Sequence, residues 1–158
     1  MSLTPDPVFD DFDDDDEIDD HKYLTFVVGS ETYGMHIEYV REIIGLQPIT
    51  LLPDVPAWIR GVINLRGKVI PVMDIRKRFR LGHREDDRRT CIVVANVDDC
   101  SVGLVVDSVS EVIDIPQEQI EPPPKVDGGT QHYLSGLGKV GDEVRLILDA
   151  AKLLAPQS

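Results

Sequence analysis

The sequence predicts an all-β protein, a small closed barrel or a pair of them, and three observations carry that expectation. Short apolar runs rich in β-branched residues recur along the chain, separated by turn dipeptides such as Gly29-Ser30, Arg66-Gly67, Asp98-Asp99 and Gly141-Asp142. Helical spacing is brief, confined to Ile37, Val40, Ile43 and Ile44 and to a few residues near the end. Residues 90–97 and 101–106 are apolar on both alternating faces, the pattern of strands enclosed on two sides.

The elements follow in order. Residues 1–22 hold the run Asp13-Asp14-Asp15-Asp16-Glu17 and little apolar content, so they are expected to stay a disordered acidic tail. Order is expected from Tyr23, with strands over 23–28 and 31–35 joined by Gly29-Ser30. The spacing of Ile37, Val40, Ile43 and Ile44 predicts a helical turn or two, ended by Gly45 and Pro48. A strand over 49–52 and a short helix at Ala57-Trp58-Ile59 are expected next. Val62, Ile63 and Leu65 then lead into Arg66-Gly67-Lys68, and Val69, Ile70, Val72 and Met73 lead out, a hairpin with one exposed arginine at its tip. Pro71 cannot donate to a ladder and predicts an edge or a bulge.

Residues 76–89 carry seven arginines and lysines against three acidic groups and read as a polar link between two halves, roughly 23–89 and 90–155, with the terminal segments free to cross between them. Strands resume over 90–97, 101–106 and 109–113. Residues 117–129, with Pro122-Pro123-Pro124 and Gly128-Gly129, are expected to be an extended connection. A last hairpin turns at Gly141-Asp142, and Asp149 caps a final helix over 150–154.

Composition narrows the function. At 158 residues and 42% hydrophobic, the chain suffices for one domain or two closely joined small ones. The net charge of −13 is concentrated at one end, since residues 1–20 hold ten acidic groups and no basic one. The remainder sums to −3, no global field for gripping phosphate backbones. No apolar run approaches the roughly 20 residues that span a bilayer, and the start lacks the regions of a signal peptide; a cytoplasmic protein is expected. Cys91 and Cys100 would lie ~20 Å apart along a hairpin at ~3.3 Å per residue, too far to bridge, and read as two reduced core thiols.

The remaining motifs point away from chemistry. Gly136-Leu-Gly-Lys-Val-Gly141 matches a dinucleotide fingerprint, but a strand follows where a helix is needed, so turn glycines are expected. Asp11, Asp13 and Asp15 have calcium-loop spacing, yet Asp16 stands where glycine is required and Lys22 where glutamate is required. His21, His36, His83 and His132 are scattered, and no nucleophile elbow or P-loop appears, so no catalytic residue, metal site or cofactor is expected. The basic stretch 76–89 nets +4 with Phe79 as its one stacking platform; a nucleic-acid-binding β-barrel is the competing reading, and it predicts affinity that falls steeply with salt. The tail is also expected to fold back on this stretch at low salt. On the residues alone, Arg66 is a solvated turn residue or a recognition residue, and Val40 and Ile43 are core or contact.

The chain from Tyr23 to Leu154 resembles CheW, the bacterial chemotaxis coupling family. The resemblance rests on Phe26-Val-Val-Gly29, Tyr33-Gly34, Val40-Arg-Glu-Ile43, Gly61-Val-Ile-Asn-Leu-Arg-Gly67, Ile70-Pro-Val-Met-Asp74, Gly103-Leu-Val-Val-Asp107 and Tyr133-Leu-Ser-Gly-Leu-Gly138, in the family's order. It implies two SH3-like five-stranded barrels, no catalysis, and an adaptor joining the cytoplasmic tips of methyl-accepting chemoreceptors to the histidine kinase CheA. The kinase's regulatory domain resembles the same fold, so barrel-to-barrel contacts are expected to alternate around a ring. Carried over by motif, Val40, Glu42 and Ile43 line the receptor side, with Gly61 and Arg66 near it and Val112 on the opposing barrel; Ile49 is a weaker candidate for the kinase side. The acidic arm lies outside the family pattern. The resemblance is to the stand-alone adaptor, and no receiver domain of the kind fused in CheV is expected.

Overall fold

The computed structural model describes residues 21–124 and 130–154; the expectations for the tail before residue 21, for 125–129 and for residue 155 lie outside these. The protein is mainly β, as the apolar runs imply. Its strands are β1 Lys22–Val28, β2 Glu31–His36, β3 Val40–Gly45, β4 Ile59–Leu65, β5 Lys68–Asp74, β6 Cys91–Val97, β7 Cys100–Val106, β8 Ser108–Asp114, β9 Ile120–Glu121, β10 Leu134–Val140 and β11 Glu143–Leu148. Among the described residues, two short helices, α1 Ile75–Arg78 and α2 Ala150–Leu154, are each capped by an aspartate: Asp74 accepts from the Lys77 amide at 3.2 Å and Asp149 from the Lys152 amide at 3.1 Å.

The strands form two sheets, ordered β8-β1-β2-β11-β10-β9 and β3-β6-β7-β5-β4. One has the expected five strands; the other gains a sixth from the two-residue β9. The seam does not fall near residue 89. The five-stranded sheet takes the contiguous block β3 to β7, while β1 and β2 join β8 to β11, with β2 and β11 pairing in parallel. The link at 76–89 therefore lies inside one sheet's sequence block, and part of it is the capped helix α1.

Doubly apolar strands have a simple cause. On β6, Ile92 and Val94 face one cluster with Ile63, Ile70, Val72 and Val105, inside the five-stranded sheet. Val93 and Ala95 face the other way, into a larger cluster with Leu24, Phe26, Val28, Tyr33 and Met35 of the second sheet. A third cluster, Tyr23, Ile115 and Ile147, fills the six-stranded side. The shared cluster fuses the sheets, and each of its fully buried side chains contributes about 1.5–3 kcal/mol.

Several local expectations are corrected. Residues 37–39 make a 3-10 turn and residues 40–45 are a strand, not a helix. The register with β6 runs Val40 to Ala95 and Glu42 to Val94, so Arg41 is an extra residue in a bulge. A bulge puts residues three apart on one face of a strand, which imitates helical spacing. The expected strand at 49–52 reduces to one bridge, Thr50 with Val62, whose amides and carbonyls exchange bonds of 2.8 and 2.9 Å. Pro48 and Pro53 prevent its extension. Ala57-Trp58-Ile59 forms no helix, because Ile59 opens β4 after a turn closed by its amide on Pro56.

Pro71 sits on a central strand, immediately before the pairing of β5 with β7 begins at Val72, so its missing donor faces no partner there. Cys100 is exposed beside the β6–β7 turn and Cys91 is half-buried, so neither is a core thiol as expected; both are free. Gly136 and Gly138 lie within β10 and abut Ile120 and Ile115, so of the three fingerprint glycines only Gly141 is in a turn. Within 117–124 the connection is not simply extended, since Gln117–Gln119 form a 3-10 turn before β9.

Candidate protein-interaction site

The sequence-nominated residues gather around β3 and the β4–β5 hairpin. The hairpin closes on Arg66 and Gly67, both at positive φ (53° and 86°), as a tight two-residue turn requires, and the Gly67 amide donates to Asn64 Oδ1 at 2.8 Å. This geometry aims Arg66 outward, two-thirds exposed, where its guanidinium pairs with the Glu42 carboxylate of β3. The pair ties the hairpin tip to the far edge strand of the same sheet. Together with the Thr50–Val62 bridge it draws β4 toward the segment that continues β3.

Directly opposed residues on paired strands point to one side. Val40 opposes Ala95 and Ile43 opposes Val93, both members of the shared cluster, so Val40 and Ile43 face the second sheet. Val40 is buried at 8% exposure, whereas Ile43 emerges at 41%. Val112, on edge strand β8 opposite Leu24, packs half-buried against the same cluster. Val40 and Ile43 thus share the side of β3 that faces the second sheet, Val40 as its floor and Ile43 as its exposed rim, while Val112 lies on β8 of that second sheet.

Gly61 permits a close backbone approach. It sits at φ 146° beside a bulge, and a Cβ there would lie 2.1 Å from the Thr50 carbonyl oxygen. The backbone that approaches Gly61 is the chain's own. Ile49 is half-buried against the five-stranded sheet's inner cluster and borders a cavity of about 460 Å³ shared with Arg60, Asp74 and Asp86. Its neighbours Leu51 (79% exposed) and Leu52 project instead, and sequence reading took them for strand residues. The flanking prolines were the available signal that this loop leaves the sheet.

Three of the seven basic residues of the stretch, Arg76, Arg78 and Arg84, are engaged within the molecule. Asp107, itself buried, accepts from Arg76 at 2.9 Å, Arg84 at 3.2 Å and the Gly29 amide at 2.8 Å. Arg60 bonds Asp74 through Nε and Asp86 through both terminal nitrogens. That fork holds the Asp86 carboxyl below its usual pKa and raises that of Arg60. Arg78 is buried at 9% exposure. The Arg84–Asp107 and Arg60–Asp86 pairs hold residues 82–90 against the body of the fold and take Arg84 out of any nucleic-acid groove. Among the described residues, no group of three or more His, Cys, Asp or Glu side chains is placed to hold a metal ion, and no helix is long and apolar enough to cross a membrane.

Comparison with known proteins decides between these readings. A family model described as the CheW-like domain matches residues 22–157. The chain belongs to the CheW-like family. This CheW-like chain is 38% identical over 138 residues to the chemotaxis protein CheW of Klebsiella aerogenes, an alignment covering 86% of the chain and 82% of the relative. It is 34% identical over 137 residues to that of Treponema pallidum, covering 84% and 81%. The crystal structure of the scaffolding protein TtCheW from Thermoanaerobacter tengcongensis superposes with a TM-score of 0.77 at 38% identity, covering 81% of this chain and 88% of that one. The two sheets are the two SH3-like β subdomains of the CheW fold, and the family is one of chemotaxis scaffolds.

Proposed function

We propose that this protein is a non-enzymatic chemotaxis coupling protein of the cytoplasm that bridges the tips of methyl-accepting chemoreceptors to the histidine kinase CheA. The observation that carries this reading is β3, where Ile43 projects beside the buried Val40 on the side toward the second sheet while Glu42, on the strand's other side, pairs with Arg66 at the hairpin tip. An apolar rim with one oriented ion pair suits the side of an amphipathic helix, the form a receptor tip presents. Ile43 and Val112 supply apolar contact at ~25 cal/mol per Å² and Arg66 supplies orientation. Val40 and Gly61 act indirectly, by holding that face in shape.

The kinase-facing surface is proposed around the Ile49 loop, through the projecting Leu51 and Leu52 more than through Ile49 itself. Partners with the same fold, the kinase's regulatory domain or further copies, then alternate around a ring. With each contact at micromolar Kd, about −8 kcal/mol, simultaneous engagement retains the complex where a single contact does not.

Co-sedimentation with a receptor fragment and CheA tests the reading. Arg66→Ala and Ile43→Asp should lose receptor co-sedimentation at least tenfold while melting normally and keeping CheA. Unchanged receptor binding in both variants, with normal melting, would reject the face.

A further inference from the structure

A second site lies away from the face just described. Trp58, Pro56 and Ile59 of the segment entering β4, Pro71 and Met73 of β5, Val102 of β7, and Leu153 and Leu154 of α2 surround a cavity of about 330 Å³. One cation lines it. The Arg78 guanidinium is sandwiched between the Trp58 ring, 4.2 Å from its centroid, and the Tyr133 ring at 4.6 Å. Although the residue is nine-tenths buried, its Nε and Nη2 have no hydrogen-bond partner.

Those two nitrogens form one edge of the guanidinium, the edge that donates two parallel bonds to a carboxylate. Stacking on two rings is favourable but leaves both donors unsatisfied. A buried donor without an acceptor is costly, the more so when charged, so an acceptor that reaches this edge recovers a cost already present in the protein. The rest of the lining narrows the acceptor's identity. It is apolar apart from the Cys100 thiol and contains no second cation, which suits a monoanion and disfavours a phosphate dianion. The volume is at the small end of the range for ligand pockets, roughly 300–1,000 Å³.

We propose that this cavity binds a small organic monocarboxylate with an apolar body, its carboxylate bidentate on Arg78 Nε and Nη2 and its body against Trp58, Met73 and Leu153. Because the two nitrogens are now sealed from solvent, binding includes a small displacement of the side chains covering them. The site is independent of the adaptor reading, since it shares none of the residues assigned to the receptor or kinase side.

Trp58 is the sole tryptophan of the chain, so its emission reports on the cavity directly. The full-length protein is titrated with benzoate and, in parallel, with isosteric benzamide. Benzoate should change Trp58 emission saturably and benzamide should not, and Arg78→Met should weaken the benzoate response at least tenfold. Should Arg78→Met fail to fold by circular dichroism, the Arg78 Nε–H resonance of the wild-type protein serves instead, and it should shift downfield with benzoate alone. Equal responses to both compounds, no response to benzoate, or an Arg78 resonance that benzoate leaves in place would overturn the proposal.

Discussion

Gly61 and Val40 show at the scale of single residues how a position named for recognition can work through folding. A methyl at Gly61 meets the Thr50 carbonyl at 2.1 Å in a backbone conformation side chains rarely adopt, so Gly61→Ala should destabilise by about 2–4 kcal/mol. Urea denaturation reads this as a lower midpoint with an unchanged slope. Val40→Ala should cost about 1–3 kcal/mol because it opens the shared core, whereas Ile43→Ala on the exposed rim should stay within about 0.5 kcal/mol. If the two substitutions melt alike, the assignment of Val40 to the floor fails. The cysteines offer an independent check. Burial raises the Cys91 thiol above its ordinary pKa while Cys100 is exposed, so iodoacetamide followed by peptide mass mapping should modify Cys100 well before Cys91.

Among the elements, the segment 82–90 depends most on charge. Asp86 is depressed by its hydrogen bonds to Arg60, so its contribution is present above the unfolded carboxyl pKa, about 3.9, and disappears as pH falls through the lower folded value. Asp86→Asn should therefore weaken the protein at neutral pH and flatten the acid limb of its stability profile below about pH 4; an acid limb identical to wild type would disprove the coupling. Asp107 gathers Arg76, Arg84 and the Gly29 amide from three parts of the chain, so Asp107→Asn should cost about 1–3 kcal/mol by removing the carboxylate that these donors share. Limited trypsin digestion should then cut first at Arg88 or Arg89, released with the segment. Hairpins were the legible elements, since Gly29-Ser30, Arg66-Gly67 and Gly141-Asp142 announce themselves through local backbone demands. The bulge at Arg41 was not legible, because an extra residue in a strand and a helical turn place apolar side chains at the same interval. The partners of Arg76, Arg84 and Asp86 were hidden for another reason: a charge run looks solvated until the fold supplies its counterions. Glu42 and Arg66 were nominated separately by resemblance, and only the closing of the hairpin onto β3 reveals that they pair.

For the molecule as a whole, the central fact is a core that belongs to both sheets. Loss of either sheet strips the other of its apolar cover, so the two should unfold in one transition. Urea curves followed by Trp58 emission, on the five-stranded side, and by far-ultraviolet circular dichroism should superimpose; separated midpoints would mean the sheets are energetically independent. The interleaved chain path adds a constraint of timing. During synthesis the β1–β2 hairpin leaves the ribosome first, yet β8 and β11, its neighbours on either side, emerge only after residue 106. For roughly four to sixteen seconds, at ~5–20 residues per second, a nascent hairpin must wait with both flanks bare, the interval in which a chaperone would find it.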